Sequence, residues 1–226
     1  MKAEFPAVRE HSITLADGSR ITVRGLNALQ RDDARADAEH AALLHLARWA
    51  DGTPAAAALE ARFGGLDRLA QAHYLAGSRA VVEEWLLQAE EQFPDFSDET
   101  DGPLDSRLAA AVKSAGEDRA AQREEWLRNK YDAAVEEASV RPDSERCRAC
   151  AAAWRERQYH DRLTARFAVE VIYRAARCPD DPARRFYSGT DAVVDLDDAT
   201  MAALCSAYRE VDPVNPHQIP TSRSAS

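Results

Sequence analysis

Apolar and polar positions alternate strictly in two short runs near the start of the chain. Ile13 and Leu15 form the first and Ile21 and Val23 the second, within ITLADGSRITVR. A period of two marks half-buried strands, and Asp17-Gly18 between them marks a β-hairpin over residues 12–24. Parity decides the register. A two-residue Asp-Gly turn opposes Leu15 to Arg20 and sends the two apolar sets to opposite faces. A three-residue loop, Ala16-Asp17-Gly18 with Gly18 left-handed, pairs Ile13 with Ile21 and gathers all four apolar residues on one face. The three-residue loop is therefore expected. An isolated hairpin is marginal in water, so a helix or another chain must cover that face.

From about Arg31 to Arg177 the apolar spacing becomes helical. One helix is expected over 31–50, ending at Trp49 before the breaker Asp51-Gly52-Thr53-Pro54. A short one covers 55–63 and stops at Gly64-Gly65. A third, over 66–92, carries Leu75, Val82, Leu86, Ala89 and Phe93 as one buried stripe. Residues 94–103 form an acidic loop. A long polar helix follows over 105–139, with Trp126 and Val135. Ser144 is expected to cap a helix over 145–177 that carries Trp154, Leu163, Phe167, Val171 and Ile172. Residues 183–195 read as irregular, with a short strand at Ala192–Val194. Asp197 reads as the cap of a last helix ending near 210, with Leu196 and Met201 at the spacing of a hydrophobic staple. The tail, 212–226, holds three prolines and no core-forming pattern, so a flexible tail, extended or disordered, is expected.

The expected fold is thus mainly α: an N-terminal β-hairpin packed on a multi-helix bundle, with an irregular segment and a short helix at the C-terminus. A single domain is expected over 1–211, with helices within 31–93, 104–178 and 197–210. Composition agrees, because apolar residues make up 45% of the chain while aromatics reach only 7%. Much of the remainder is alanine, which favours thin, closely approaching helices.

A formal net charge of −10 argues against nucleic acid or an anionic membrane surface as the main partner. No stretch approaches the roughly 20 apolar residues of a membrane span. The opening MKAEFPAVRE lacks the apolar core of a signal peptide, so a cytoplasmic location with reduced thiols is expected.

Candidate chemistry is sparse. Cys147-x-x-Cys150 has the spacing of half a zinc site, which His160, Cys178 or Cys205 would complete. On a helix, however, Cys147, Cys150, Ala151 and Trp154 share a face, which reads as two small thiols packed against an indole. His40, His45 and His73 are scattered and form no metal-binding helical pair. Asp95, Asp98, Glu99 and Asp101 lie in the acidic loop but lack the order of a calcium loop, and read as a solvated face or a dock for a basic partner. Seven Arg stand against four carboxylates within 141–166, and pairing with the chain's own acidic stretch is expected. No phosphate loop, nucleophile elbow or kinase motif is present. No catalytic residue, cofactor or small-molecule substrate is therefore assigned, and the chain is expected to act as a protein binder rather than an enzyme.

Two segments carry a resemblance. The opening ITLADGSRITVRGLNALQRDDA runs from a hairpin into a helix. The close, RFAVEVIYRAARCPDDPARRFYSGTDAVVDLDDATMAALCSAYREVDPVNP, is a helix, then a Cys-Pro-Asp-Asp-Pro segment, then an aromatic and an Asp-led helix followed by Asn. Together they resemble the tail assembly chaperones of long-tailed bacteriophages and prophages, across about the first 50 and last 60 residues. The resemblance implies binding of the tape measure protein or other tail proteins in the host cytoplasm, with self-association as a further mode. A structural component of a phage tail, neck or injection system is the alternative, and a zinc-binding helical module based on Cys147 and Cys150 a further one. Residues 52–140 have no counterpart in the pattern, which leaves room for an inserted helical pair.

Overall fold

The computed structural model describes residues 9–94 and 106–212, the second range with side chains from 113 onward. The elements, in order, are β1 (Glu10–Thr14), β2 (Arg20–Arg24), α1 (Ala28–Leu46), α2 (Pro54–Gly64), α3 (Arg68–Ala76) and α4 (Arg79–Gln92). Then come α5 (Ser106–Val140), α6 (Asp143–Ala175), β3 (Ala176–Cys178), β4 (Asp181–Arg185), α7 (Thr190–Val194) and α8 (Asp198–Val211). The protein is mainly helical with an N-terminal hairpin and a short C-terminal helix, as the sequence patterning indicates. The chain divides into two compact units. The first joins both ends, Met1–Ala47 and Gln158–Ser226. The second is the intervening Arg48–Arg157.

In the first unit the hairpin takes the register that parity selects. Ile13 pairs with Ile21, and Thr14 with Arg20. The Leu15 amide donates to the Ser19 carbonyl at 2.8 Å, the Gly18 amide to the Leu15 carbonyl at 2.9 Å, and Gly18 sits at φ +82. The three-residue loop therefore closes on a left-handed glycine. Ile21 and Val23 are fully buried, and Ile13 and Leu15 pack against the same core, built from Phe167, Val171, Ile172, Leu204 and Tyr208.

Several expectations fail at α6 and after it. Residues 176–178 form β3, not the end of a helix, and pair with β2 through Thr22↔Arg177 and Val23↔Ala176. The second edge of β2 would otherwise leave its peptide groups unpaired, and satisfying them outweighs continuing the helix. β4 then adds antiparallel to β3, giving a four-stranded sheet. Residues 181–185 are exposed throughout, so no apolar alternation marks them as a strand. Ala192–Val194, read as a strand, lies in the helical turn α7, where only Val193 is buried. At its start, α6 begins at Asp143, one residue ahead of the expected Ser144 cap, with the amides of Glu145 and Arg146 donating to the Pro142 carbonyl.

Capping follows local sequence closely. Asn27 and Gln30 form a reciprocal box at the start of α1, at 2.8 and 3.2 Å. Asp197 accepts from the Thr200 amide at 2.9 Å and opens α8. α1 turns Ala34, Ala38 and Ala42 inward, so its buried face is a stripe of alanines.

The second unit packs α2, α3, α4, α5 and the first half of α6. Thr53 caps α2 and Asp67 caps α3, each through its side-chain oxygen. Leu59, Phe63, Cys150 and Ala151 form the buried centre, with Trp49, Tyr74, Leu75, Cys147 and Trp154 around it. The single helix expected over 66–92 is two. The chain breaks at Gly77-Ser78, where the Gly77 amide donates to the His73 carbonyl at 2.9 Å. A stripe drawn on one continuous helix loses phase across that break. Ala89 alone of Leu75, Val82, Leu86, Ala89 and Phe93 is fully buried, and Leu86 is exposed. α5 packs on α3, and the Tyr131 hydroxyl lies 3.0 Å from His73 Nδ1.

Candidate protein-binding surface

The residues with the strongest chemical potential in the sequence are packed away. Cys147 and Cys150 sit on the first turns of α6, next to Trp154 in the centre of the second unit. Cys150 is fully buried, its thiol 3.7 Å from the Gln71 carbonyl. Burial pushes its pKa up to about 11, and the neighbouring Cys147 adds to the shift. Cys178 lies in β3 and Cys205 in α8, both in the first unit, and all four cysteines are free. His73 is stacked on Tyr131, and His160 lies edge-on to Tyr159. Among the described residues no group of three or more His, Cys, Asp and Glu is placed to hold a metal ion. Asp95, Asp98, Glu99 and Asp101 lie outside the described residues.

Four of the seven arginines of 141–166 pair with carboxylates close by in sequence or fold, and those four partners lie outside the acidic stretch expected to meet them. Arg141 pairs with Glu137, Arg146 with Asp143, Arg155 with Asp51 and Arg166 with Glu170. Arg146 is the member that sequence reading missed. It is only 2% exposed, and its Nε donates to the Gln71 amide oxygen at 2.9 Å. Gln71 in turn donates to the carbonyls of Phe63, at 2.9 Å, and Leu66, at 3.1 Å. This network ties α6 to the α2–α3 corner. A buried guanidinium demands such partners, but nothing in the spacing of 141–166 distinguishes Arg146 from its solvated neighbours.

What the fold leaves open is apolar. On α1 the buried positions are alanines, while Leu29, Leu43 and Leu44 are 69%, 59% and 64% exposed. At 100° per residue these leucines fall on the side opposite Ala34, Ala38 and Ala42. The helix therefore shows its larger side chains to solvent and its smaller ones to the core, the reverse of what burial alone favours. Leu87 on α4 is likewise 68% exposed. Such apolar positions on a chain of net charge −10 suit contact with apolar segments of another protein. Among the described residues, no helix is long and apolar enough to cross a membrane. No protein-family model, curated protein or solved structure matches this chain.

Proposed function

We propose that this protein is an assembly chaperone of the phage-tail type, which holds apolar helical segments of a tape measure protein in soluble form and catalyses no reaction. One observation carries the reading. The two segments that resemble tail assembly chaperones, far apart in sequence, fall together in one compact unit, whereas the stretch without a counterpart is the bulk of the other. That is the division expected when a helical insertion is accommodated by a complete parent domain.

The physics of holding a client agrees. Long amphipathic helices expose apolar stripes until their partners polymerise around them. The leucine face of α1 offers a complementary apolar strip, and the net negative charge keeps loaded complexes apart. Each contact must be weak enough for tube subunits to displace it, so many copies per client are expected. Co-expression with the tape measure protein of the same gene cluster tests the reading. Recovery of a soluble complex supports it. A client equally insoluble with and without this chain overturns it, and abundant copies in purified particles would favour a structural component instead.

A further inference from the structure

Two arginines are buried among the described residues, and they are treated differently. Arg146 is met by Asp143, Gln71 and the Arg141 carbonyl. Arg177, 9% exposed, meets the carbonyl of its neighbour Ala176 at 3.2 Å, and among the described residues no carboxylate pairs with it. A buried cation without an anion is costly, so its retention calls for an account.

The sheet supplies one. Ile21, Val23 and Ala176 point into the core, so Thr22 and Arg177 point to the opposite face. The register runs Ser12↔Thr22, Thr22↔Arg177 and Arg177↔Arg185, a row of two hydroxyls and two guanidiniums across all four strands. Arg20 and Arg24 flank Thr22 on the same face of β2 by alternation. The Ser12 and Thr22 hydroxyls lie 3.2 Å apart, and Glu10 is a long 3.9 Å from Arg24. Burial, Arg185 and Arg24 together push the Arg177 pKa down, as expected where positive charges crowd without a counter-charge.

We propose that the outer face of the sheet binds the carboxylates of an acidic segment of a partner protein through the exposed Arg20 and Arg185 and the half-buried Arg24, with the buried Arg177 adding its charge from beneath. Guanidiniums take carboxylates bidentately, and the exposed Ser12 hydroxyl lies beside them on the same face. Strand β4 is exposed along its length at the sheet edge, where an extended segment can lie. Nucleic acid fits less well. A polyanion gains its affinity over many phosphates, and here four arginines occupy one small face of a chain of net charge −10. The site does not depend on the chaperone reading, which concerns the leucines of α1.

Fluorescence anisotropy of a short labelled oligoglutamate peptide with the full chain at low salt tests it. A labelled DNA single strand of equal charge is run beside it. Saturable binding of the peptide is expected, weakened about tenfold in the double variant Arg24→Gln/Arg185→Gln and unchanged in Arg68→Gln, which lies in the other unit. Neither substitution removes the buried Arg177, so retained unfolding midpoints separate lost binding from lost fold. No binding of the peptide, equal binding by the double variant, or tighter binding of the DNA overturns the proposal.

Discussion

The Arg31 guanidinium meets both carboxylate oxygens of Asp212, at 2.7 and 2.9 Å, across 181 positions of sequence. The Tyr208 hydroxyl donates to the same carboxylate at 2.6 Å. The start of α1 is thereby fastened to the residue that ends α8, and the Asp212 side chain is only 8% exposed. Replacing Arg31 by Ala leaves a nearly buried carboxylate with one partner. It is predicted to cost about 2 kcal/mol, read as a lower urea midpoint at unchanged slope. An unchanged midpoint would mean that water replaces the guanidinium without loss.

A second prediction concerns the hairpin. Gly18 is left-handed, and a Cβ there would meet nothing within 4 Å. Only backbone strain opposes substitution, so Gly18→Val is predicted to destabilise by about 1–2 kcal/mol and Gly18→Asn by less. Thermal unfolding of the two variants gives the order directly.

The Arg146–Gln71 network makes a third. Gln71→Leu removes one partner of a buried guanidinium, which keeps Asp143 and the Arg141 carbonyl, and two carbonyl contacts at once. A loss of about 3 kcal/mol is expected. The double variant Gln71→Leu/Arg146→Met should recover part of it, because it also removes the guanidinium whose Nε lost its acceptor. A double-mutant cycle with no coupling would contradict the network.

The buried thiol gives a pH dependence. Its folded pKa is raised from 9.0 to about 11, so the unfolded chain ionises first as pH rises. Stability from keeping Cys150 neutral is present in full below about pH 9 and is lost as pH rises toward 11. Cys150→Ala should flatten the fall of unfolding free energy over that window. At pH 8 the half-buried Cys147 and Cys178 should react with a thiol reagent before Cys150 and Cys205.

The leucine face of α1 carries the last prediction. Leu43→Glu/Leu44→Glu, at positions already largely exposed, should leave the unfolding midpoint within about 0.5 kcal/mol of the parent and abolish recovery of the client complex. A complex recovered undiminished would move client contact elsewhere on the chain.

Local rules of sequence determined much of this protein. Parity around Asp17-Gly18 fixed the hairpin register, and Asp197 marked the start of α8, while Asn27, Thr53 and Asp67 cap α1, α2 and α3 through amides three positions on, a local signal the sequence reading passed over. These features depend on residues a few positions apart, whose geometry is settled before any distant contact forms. Tertiary structure decided the rest. β3 and β4 exist because β2 offered an unpaired edge, not because residues 176–185 alternate. The leucines of α1 face outward because its alanines allow closer approach to the core, and only the neighbours of a helix decide which of its apolar faces is covered. The contrast between Arg146, satisfied by Gln71, and Arg177, crowded by Arg24 and Arg185, is likewise invisible in the chain. A side chain's charge is written in the sequence, but its counter-charge and its burial belong to residues that folding brings from far away.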